Sequence, residues 1–174
     1  TGQGGAVITN DDEVAYCMRR LKDFGRSGGG NDMHDSIGFN FKFTEMQAVI
    51  GNEQMKKLPA RVTRKQEILK LYQSQLASVK EISFFDQDLT CTTPWFIDVL
   101  ADDRDNLMRY LKEQGIGTRL MYPPINKQVA YQLDGAYPVA NLVGEKGVWL
   151  PSATQLTDDD IIHICRLISS FYTK

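Results

Sequence analysis

Apolar residues recur at helical spacing in some stretches of this chain and gather into short β-branched or aromatic runs in others. Ala6 to Thr9 reads as a short strand, closed by the polar Asn10-Asp11-Asp12. Asn10 or Asp11 is then placed to cap a helix whose stripe is Val14, Cys17, Met18 and Leu21, with Gly25 closing it. Arg26 to Asp32 is loop by composition, because three consecutive glycines hold no regular element. Thr44, with Gln47 three residues on, has the form of a capping box and opens a second helix; Met46, Val49 and Ile50 are predicted to face inward. Pro59 suits the first turn of a third helix, with the stripe Val62, Ile68, Leu69, Tyr72 and Leu76.

The pattern changes after Val79. Glu81 to Phe85 and Thr92 to Leu100 read as strands, Asp102 to Ile116 as an amphipathic helix with an Asp cap and Gly115 past its end, and Gly117 to Tyr122 as a strand stopped by Pro123-Pro124. Short helical pieces are predicted between residues 127 and 148, then a brief strand at Val148 to Ser152. A last helix is capped by Thr157, with Ile161, Ile164, Cys165, Ile168 and Phe171 inward and Asp158, Asp159 and Asp160 at its positive end. From about Glu81 this order predicts a small α/β layer. The residues before it, one strand and three helices, lack strands to pack on, which predicts a piece of a larger fold.

Composition narrows the picture. Twenty basic against twenty-two acidic residues, well mixed, give a net charge of −2 and no electrostatic footprint for nucleic acid or an anionic membrane surface. No apolar run reaches the roughly 20 residues a membrane helix needs. Cys17, Cys91 and Cys165 lack metal-type spacing, His34 and His163 stand far apart, and a reduced, cytoplasmic chain without a metal site is expected. The start, Thr1-Gly2-Gln3-Gly4-Gly5, reads as a glycine-rich loop taken in mid-course.

The stretch Gly38-Phe39-Asn40-Phe41-Lys42-Phe43 is the least ordinary: an amide and an ammonium set between phenylalanines, just ahead of a helix cap. Its pattern alone reads as an amphipathic strand edge.

Four stretches, "TGQGGAVITNDDEVAYCMRRLKDFG", "IGFNFKFTEMQAVIGNEQMKKLPARVTRKQEI", "GIGTRLMYPPINKQVAY" and "LPSATQLTDDDI", occur in an order that resembles the C-terminal half of the DegT/DnrJ/EryC1/StrS family. Its members are pyridoxal-phosphate-dependent nucleotide-sugar aminotransferases of the aspartate-aminotransferase fold. The resemblance covers nearly the whole chain, and "HDSIGFNFKFTEMQ" is particularly similar to the matching stretch of one subgroup, the GDP-perosamine synthases. It implies that residues 1–55 end a large cofactor-binding domain and residues 56–174 form a small C-terminal α/β domain. Thr1 to Gly5 match a loop that follows the cofactor lysine, with Gln3 where the family usually has Glu. The lysine is therefore expected just upstream of Thr1, no catalytic residue is expected within this chain, and residues 1–174 alone are expected to be inactive.

The resemblance also implies site residues. The family's counterpart of Gly38 to Phe43 crosses a homodimer interface, so Asn40 is expected to hydrogen-bond the phosphate of a cofactor held mainly by the partner subunit; an amide orients a dianion without adding charge. Lys42 stands where Arg is common, giving a point charge instead of a bidentate fork toward a substrate diphosphate or a neighbouring carboxylate. Arg119 and Tyr122 match positions bordering the substrate entrance. Arg119 there serves either as a partner for a sugar-nucleotide phosphate or as a structural arginine tied to an acid. The His that the family often carries after the proline turn is absent; Lys127 in that turn is a candidate phosphate contact, though its position suits a solvated residue better.

Three functions fit these residues. The first is transfer of an amino group from an amino acid, with glutamate the expected donor, to a nucleotide-linked keto-sugar, for cell-surface polysaccharide or amino-sugar biosynthesis. The second is sugar dehydration, as in family members that replace the cofactor lysine with His. The third is a non-catalytic interaction domain.

Overall fold

The computed structural model describes residues 1–28 and 32–173, so the predicted glycine loop lies partly outside the described residues. The chain divides into two compact units, Thr1–Leu58 and Pro59–Lys174.

In the first unit, Asp11 caps helix α1 (Asp12–Lys22), its carboxylate accepting from the Glu13 and Val14 amides at 2.9 and 3.1 Å. Asp12 and Glu13 lie at the positive end of this helix, and Arg19, Arg20 and Lys22 at the negative end. The chain turns through Asp23 to Gly25, and Gly25 takes the left-handed conformation (φ 77°), its amide donating back to the Arg20 carbonyl at 2.8 Å. Helix α2 (Glu45–Gln75) opens on the predicted box: the Thr44 amide donates to Gln47 Oε1 at 2.9 Å, and the Gln47 amide to Thr44 Oγ1 at 3.3 Å.

Three expectations for this part of the chain need correction. Ala6 to Thr9 forms no strand; Val7 and Ile8 are exposed, and none of the described strands pairs with them, without which extended backbone has no ladder. Met46, Val49 and Ile50 do not face inward; they are 79, 62 and 46% exposed, because no described residue before Ile68 joins the hydrophobic core. Pro59 does not begin a helix. It lies inside α2, which continues across it for 31 residues in all. A proline removes one donor from the ladder, here the partner of the Met55 carbonyl, and the turns on either side hold the helix.

The second unit owns the core. Four antiparallel strands, β1 (Ile82–Phe84), β2 (Ile97–Ala101), β3 (Arg119–Leu120) and β4 (Gly147–Leu150), lie in the order β1-β2-β4-β3. The register sets Ile97 opposite Leu150 and Val99 opposite Val148, so one face of the sheet is continuously apolar. That face packs with the late turns of α2 (Ile68, Leu69, Tyr72), with α3 (Arg104–Glu113, through Leu107 and Leu111) and with α5 (Asp158–Tyr172, through Ile161, Ile164, Cys165 and Ile168). Thr157 caps α5 in a reciprocal box with Asp160. Asp103, the residue capping α3, differs from expectation: it sits in a left-handed conformation and its carboxylate accepts from the Asn106 side chain instead of a backbone amide. Two short 3-10 turns, Ile125–Lys127 and Val129–Tyr131, and helix α4 (Pro138–Lys146) fill the predicted helical region; Arg104 ties α3 to α4 through the Gly144 carbonyl at 2.7 Å. No helix among the described residues is long and apolar enough to cross a membrane.

Candidate functional site

The Gly38–Phe43 stretch does not pair as a regular strand. It runs beside the end of α1, joined by backbone hydrogen bonds: Phe39 amide to Leu21 carbonyl at 2.6 Å, Phe41 amide to Lys22 carbonyl at 3.0 Å, and Phe24 amide to Phe39 carbonyl at 3.0 Å. Asn40 itself bridges Asp23. This close approach depends on two glycines. A Cβ on Gly25 would stand 1.9 Å from the Ser36 carbonyl oxygen, and one on Gly38 would stand 2.0 Å from the Gly25 nitrogen. Main chain lies directly on main chain here, which no larger residue permits.

Alternation along this segment sends side chains to opposite sides. The Phe39 and Phe41 rings stack at 5.1 Å and remain 50 and 71% exposed. The Asn40 side chain is exposed and makes no hydrogen bond among the described residues, so its amide is free to donate. Lys42 is held: its Nζ lies 3.1 Å from the Asp23 carboxylate and 4.0 Å from the centre of the Phe24 ring. Arg26 grips the same Asp23 oxygen at 2.6 Å and reaches Asp32 at 2.9 Å. Arg26 first, then Lys42, holds the Asp23 carboxyl below the usual carboxylate range. Of the two partners open to Lys42, a carboxylate of its own chain is the one it has. Asp23 was not among the residues the sequence singled out; an acid at a helix end with Arg26 three residues on was the available signal.

The second group of candidates lies on the outer face of the sheet. Across β2, β4 and β3 the register aligns Asp98, Trp149 and Arg119 in one row. The Arg119 guanidinium rests 5.2 Å from the Trp149 ring centre and 5.5 Å from that of Tyr122, and it pairs with no carboxylate among the described residues. The alternative of a structural arginine tied to an acid therefore lacks its acid. Phe96 stacks on Trp149 at 4.1 Å, and Trp95, 80% exposed, stacks on Phe96 at 5.5 Å. Lys65 of α2 fixes this aromatic row by donating to the Trp95 carbonyl at 2.5 Å and to Ser152 Oγ at 2.9 Å; burial pushes its ammonium pKa down. Burial pushes the Asp98 carboxyl up, opposed in part by the neighbouring Trp149 indole. Lys127 borders a depression of about 420 Å³ with Leu120, Pro123, Pro124 and Arg104. The platform under Arg119 was not anticipated; the alternation in Val148-Trp149-Leu150 was its only trace in sequence.

The fold is shared with part of a larger solved protein. A DegT DnrJ EryC1 StrS aminotransferase from Brucella abortus superposes with a TM-score of 0.85 at 24% identity, over 95% of this chain and 45% of that one. The sequence carries the assignment further: the profile of the DegT/DnrJ/EryC1/StrS aminotransferase family matches residues 1–169, and the chain belongs to that family. It is 30% identical to the GDP-perosamine synthase of Escherichia coli O157:H7 and 28% identical to that of Vibrio cholerae, over 99% of its length in each case. It spans about half the length of these relatives, 48 and 49%.

Proposed function

We propose that residues 1–174 are the C-terminal part of a pyridoxal-phosphate-dependent enzyme that moves an amino group from an amino acid, glutamate being the expected donor, to a nucleotide-linked keto-sugar. Membership of the family and likeness to GDP-perosamine synthases support this reading. The observation within the molecule that carries it is Asn40: an exposed amide with no partner, fixed in place by its backbone bridge to Asp23 and by a glycine-dependent turn. An exposed amide whose donors are not taken up by the protein is open to a ligand oxygen.

The residues fit the cofactor's phosphate. When bound, pyridoxal phosphate supplies the electron sink that makes proton movement at the donor carbon possible. This chain supplies binding and orientation. Asn40 donates to a phosphate oxygen in a cofactor site completed by a partner subunit, and Phe39 and Phe41, exposed in this chain, anchor the segment once buried in the homodimer interface. Arg119, backed by Trp149 and Tyr122, meets the diphosphate of the sugar nucleotide, with Tyr122 presenting its hydroxyl beside it. Lys42 reaches a substrate phosphate only by giving up Asp23. The cytoplasm is its expected location.

The test is Asn40→Ala in the full-length protein. Cofactor affinity should fall by about 1–3 kcal/mol, the range for a buried partner left unpaired. Unchanged cofactor affinity refutes the assignment of Asn40.

A further inference from the structure

We propose that Asp23 is a positioning residue for the cofactor-phosphate loop, an inference that rests on the role just given to Asn40. Three contacts gather at or beside this residue. Its backbone bridges Asn40, so the two residues lie side by side across the paired segments. Its carboxylate holds Lys42, two residues beyond Asn40, at 3.1 Å. The same oxygen is held at 2.6 Å by Arg26, whose other amino group reaches Asp32. Asn40 thus lies opposite Asp23 in a bridge whose hydrogen bonds are made by the flanking residues, Phe24 with Phe39 and Phe41 with Lys22, while the Asp23 carboxylate holds Lys42 two residues on.

The chemistry of the cluster favours this role over a simple surface ion pair. Asp23 and Arg26 keep only 27 and 18% of their side-chain surface, and Lys42, 43% exposed, lays its ammonium on the Phe24 ring as well as on the carboxylate. Phe24 itself has a positive φ of 59°, a conformation that a phenylalanine adopts only when its surroundings over-determine it. Its ring is therefore placed under Lys42 by a strained turn, which the Gly25–Gly38 contact and the Asp23 cluster hold closed. Asn40 touches the ligand; Asp23 acts through Asn40, by fixing where the amide points. A loop that must reach a phosphate held by another subunit gains most from being fixed beforehand, because ordering it at the moment of binding would weaken the complex.

The experiment uses the full-length holoenzyme and measures the dissociation constant of pyridoxal phosphate, together with phosphorus NMR of the bound cofactor. Asp23→Asn should weaken cofactor binding on the order of three- to tenfold, the loss expected when two ion pairs of a network go together, and should shift or broaden the phosphate resonance. Lys42→Met should do the same, and Lys42→Arg, which keeps the charge within reach of Asp23, should bind as the parent does. In an Asn40→Ala background the Asp23→Asn change should have no further effect, since the group it positions is gone. If Asn40→Ala weakens binding while Asp23→Asn and Lys42→Met leave it unchanged, the positioning role is wrong and the site stands. Full additivity of Asp23→Asn with Asn40→Ala also overturns it, reducing Asp23 to a structural residue. If Asn40→Ala leaves binding unchanged, the functional reading fails and this inference falls with it.

Discussion

Replacing Arg119 with Leu separates a substrate-binding arginine from a structural one by comparing two magnitudes. The structural stake is readable from its contacts. Arg119 has two cation–π neighbours, Trp149 at 5.2 Å and Tyr122 at 5.5 Å, and no ion pair among the described residues. At an exposed site each such contact contributes about 0.5–1 kcal/mol, so stability should fall by no more than about 1–2 kcal/mol, with Leu retaining part of the packing on Trp149. The functional stake is larger. A hydrogen bond from a guanidinium to a phosphate oxygen contributes about 1.5–3 kcal/mol, which corresponds to a roughly 10- to 150-fold loss of affinity. Arg119→Lys should fall between, keeping the charge and losing the fork. The assay is calorimetric binding of a panel of purine and pyrimidine nucleoside diphosphates to the full-length protein, with urea unfolding of the same variants. Strong loss of diphosphate affinity with a small change in stability supports the assignment. Unchanged affinity for every diphosphate, together with a stability loss of the size given, would refute it and leave Arg119 a strut for the aromatic row.

Other outcomes follow from the core and the turn. Tyr72 is fully buried and its hydroxyl donates to the Pro151 carbonyl at 3.0 Å, so Tyr72→Phe should lower unfolding free energy by about 1 kcal/mol in urea titrations with the slope unchanged. Gly25→Ala combines a left-handed backbone with a carbonyl oxygen 1.9 Å from the new methyl carbon; it should destabilise the turn by at least about 2 kcal/mol and raise amide exchange at Phe39 and Phe41. Burial pushes the Cys165 thiol up to about 12 from an ordinary 9.0. The unfolded chain then loses its proton first, so this contribution to stability is complete below about pH 9 and disappears as pH rises toward 12. Urea midpoints should drop over that interval, and Cys165→Ala should drop less steeply.

The caps at Thr44 and Thr157 were legible in the sequence because they are local. Thr44 with Gln47 and Thr157 with Asp160 form their boxes between residues three apart, and the geometry needs nothing else. The core of the second unit was legible for a related reason: the stripe Ile161, Ile164, Cys165 and Ile168 carries its periodicity in the chain itself. The candidate site was legible in part. Asn40 and Lys42 stood out as polar residues among aromatics, and Arg119 and Tyr122 through resemblance to a family.

What the sequence by itself determined, then, is several helix caps, the apolar faces of the second unit, and which family the chain belongs to. Tertiary structure decided the rest. Helix α2 runs through Pro59 although a proline locally favours a break, because the cost of one missing donor is set against the packing of whole turns at Ile68, Leu69 and Tyr72. Val7, Ile8 and Met46 are apolar yet exposed, since burial depends on whether a partner surface is present, which no periodicity encodes. The Asp23 cluster joins residues up to 19 positions apart, and the Asp98–Trp149–Arg119 row joins three strands. Contacts of that kind arise from chain reversal and strand register. A local pattern specifies which side chains are available for them and leaves their meeting to the fold.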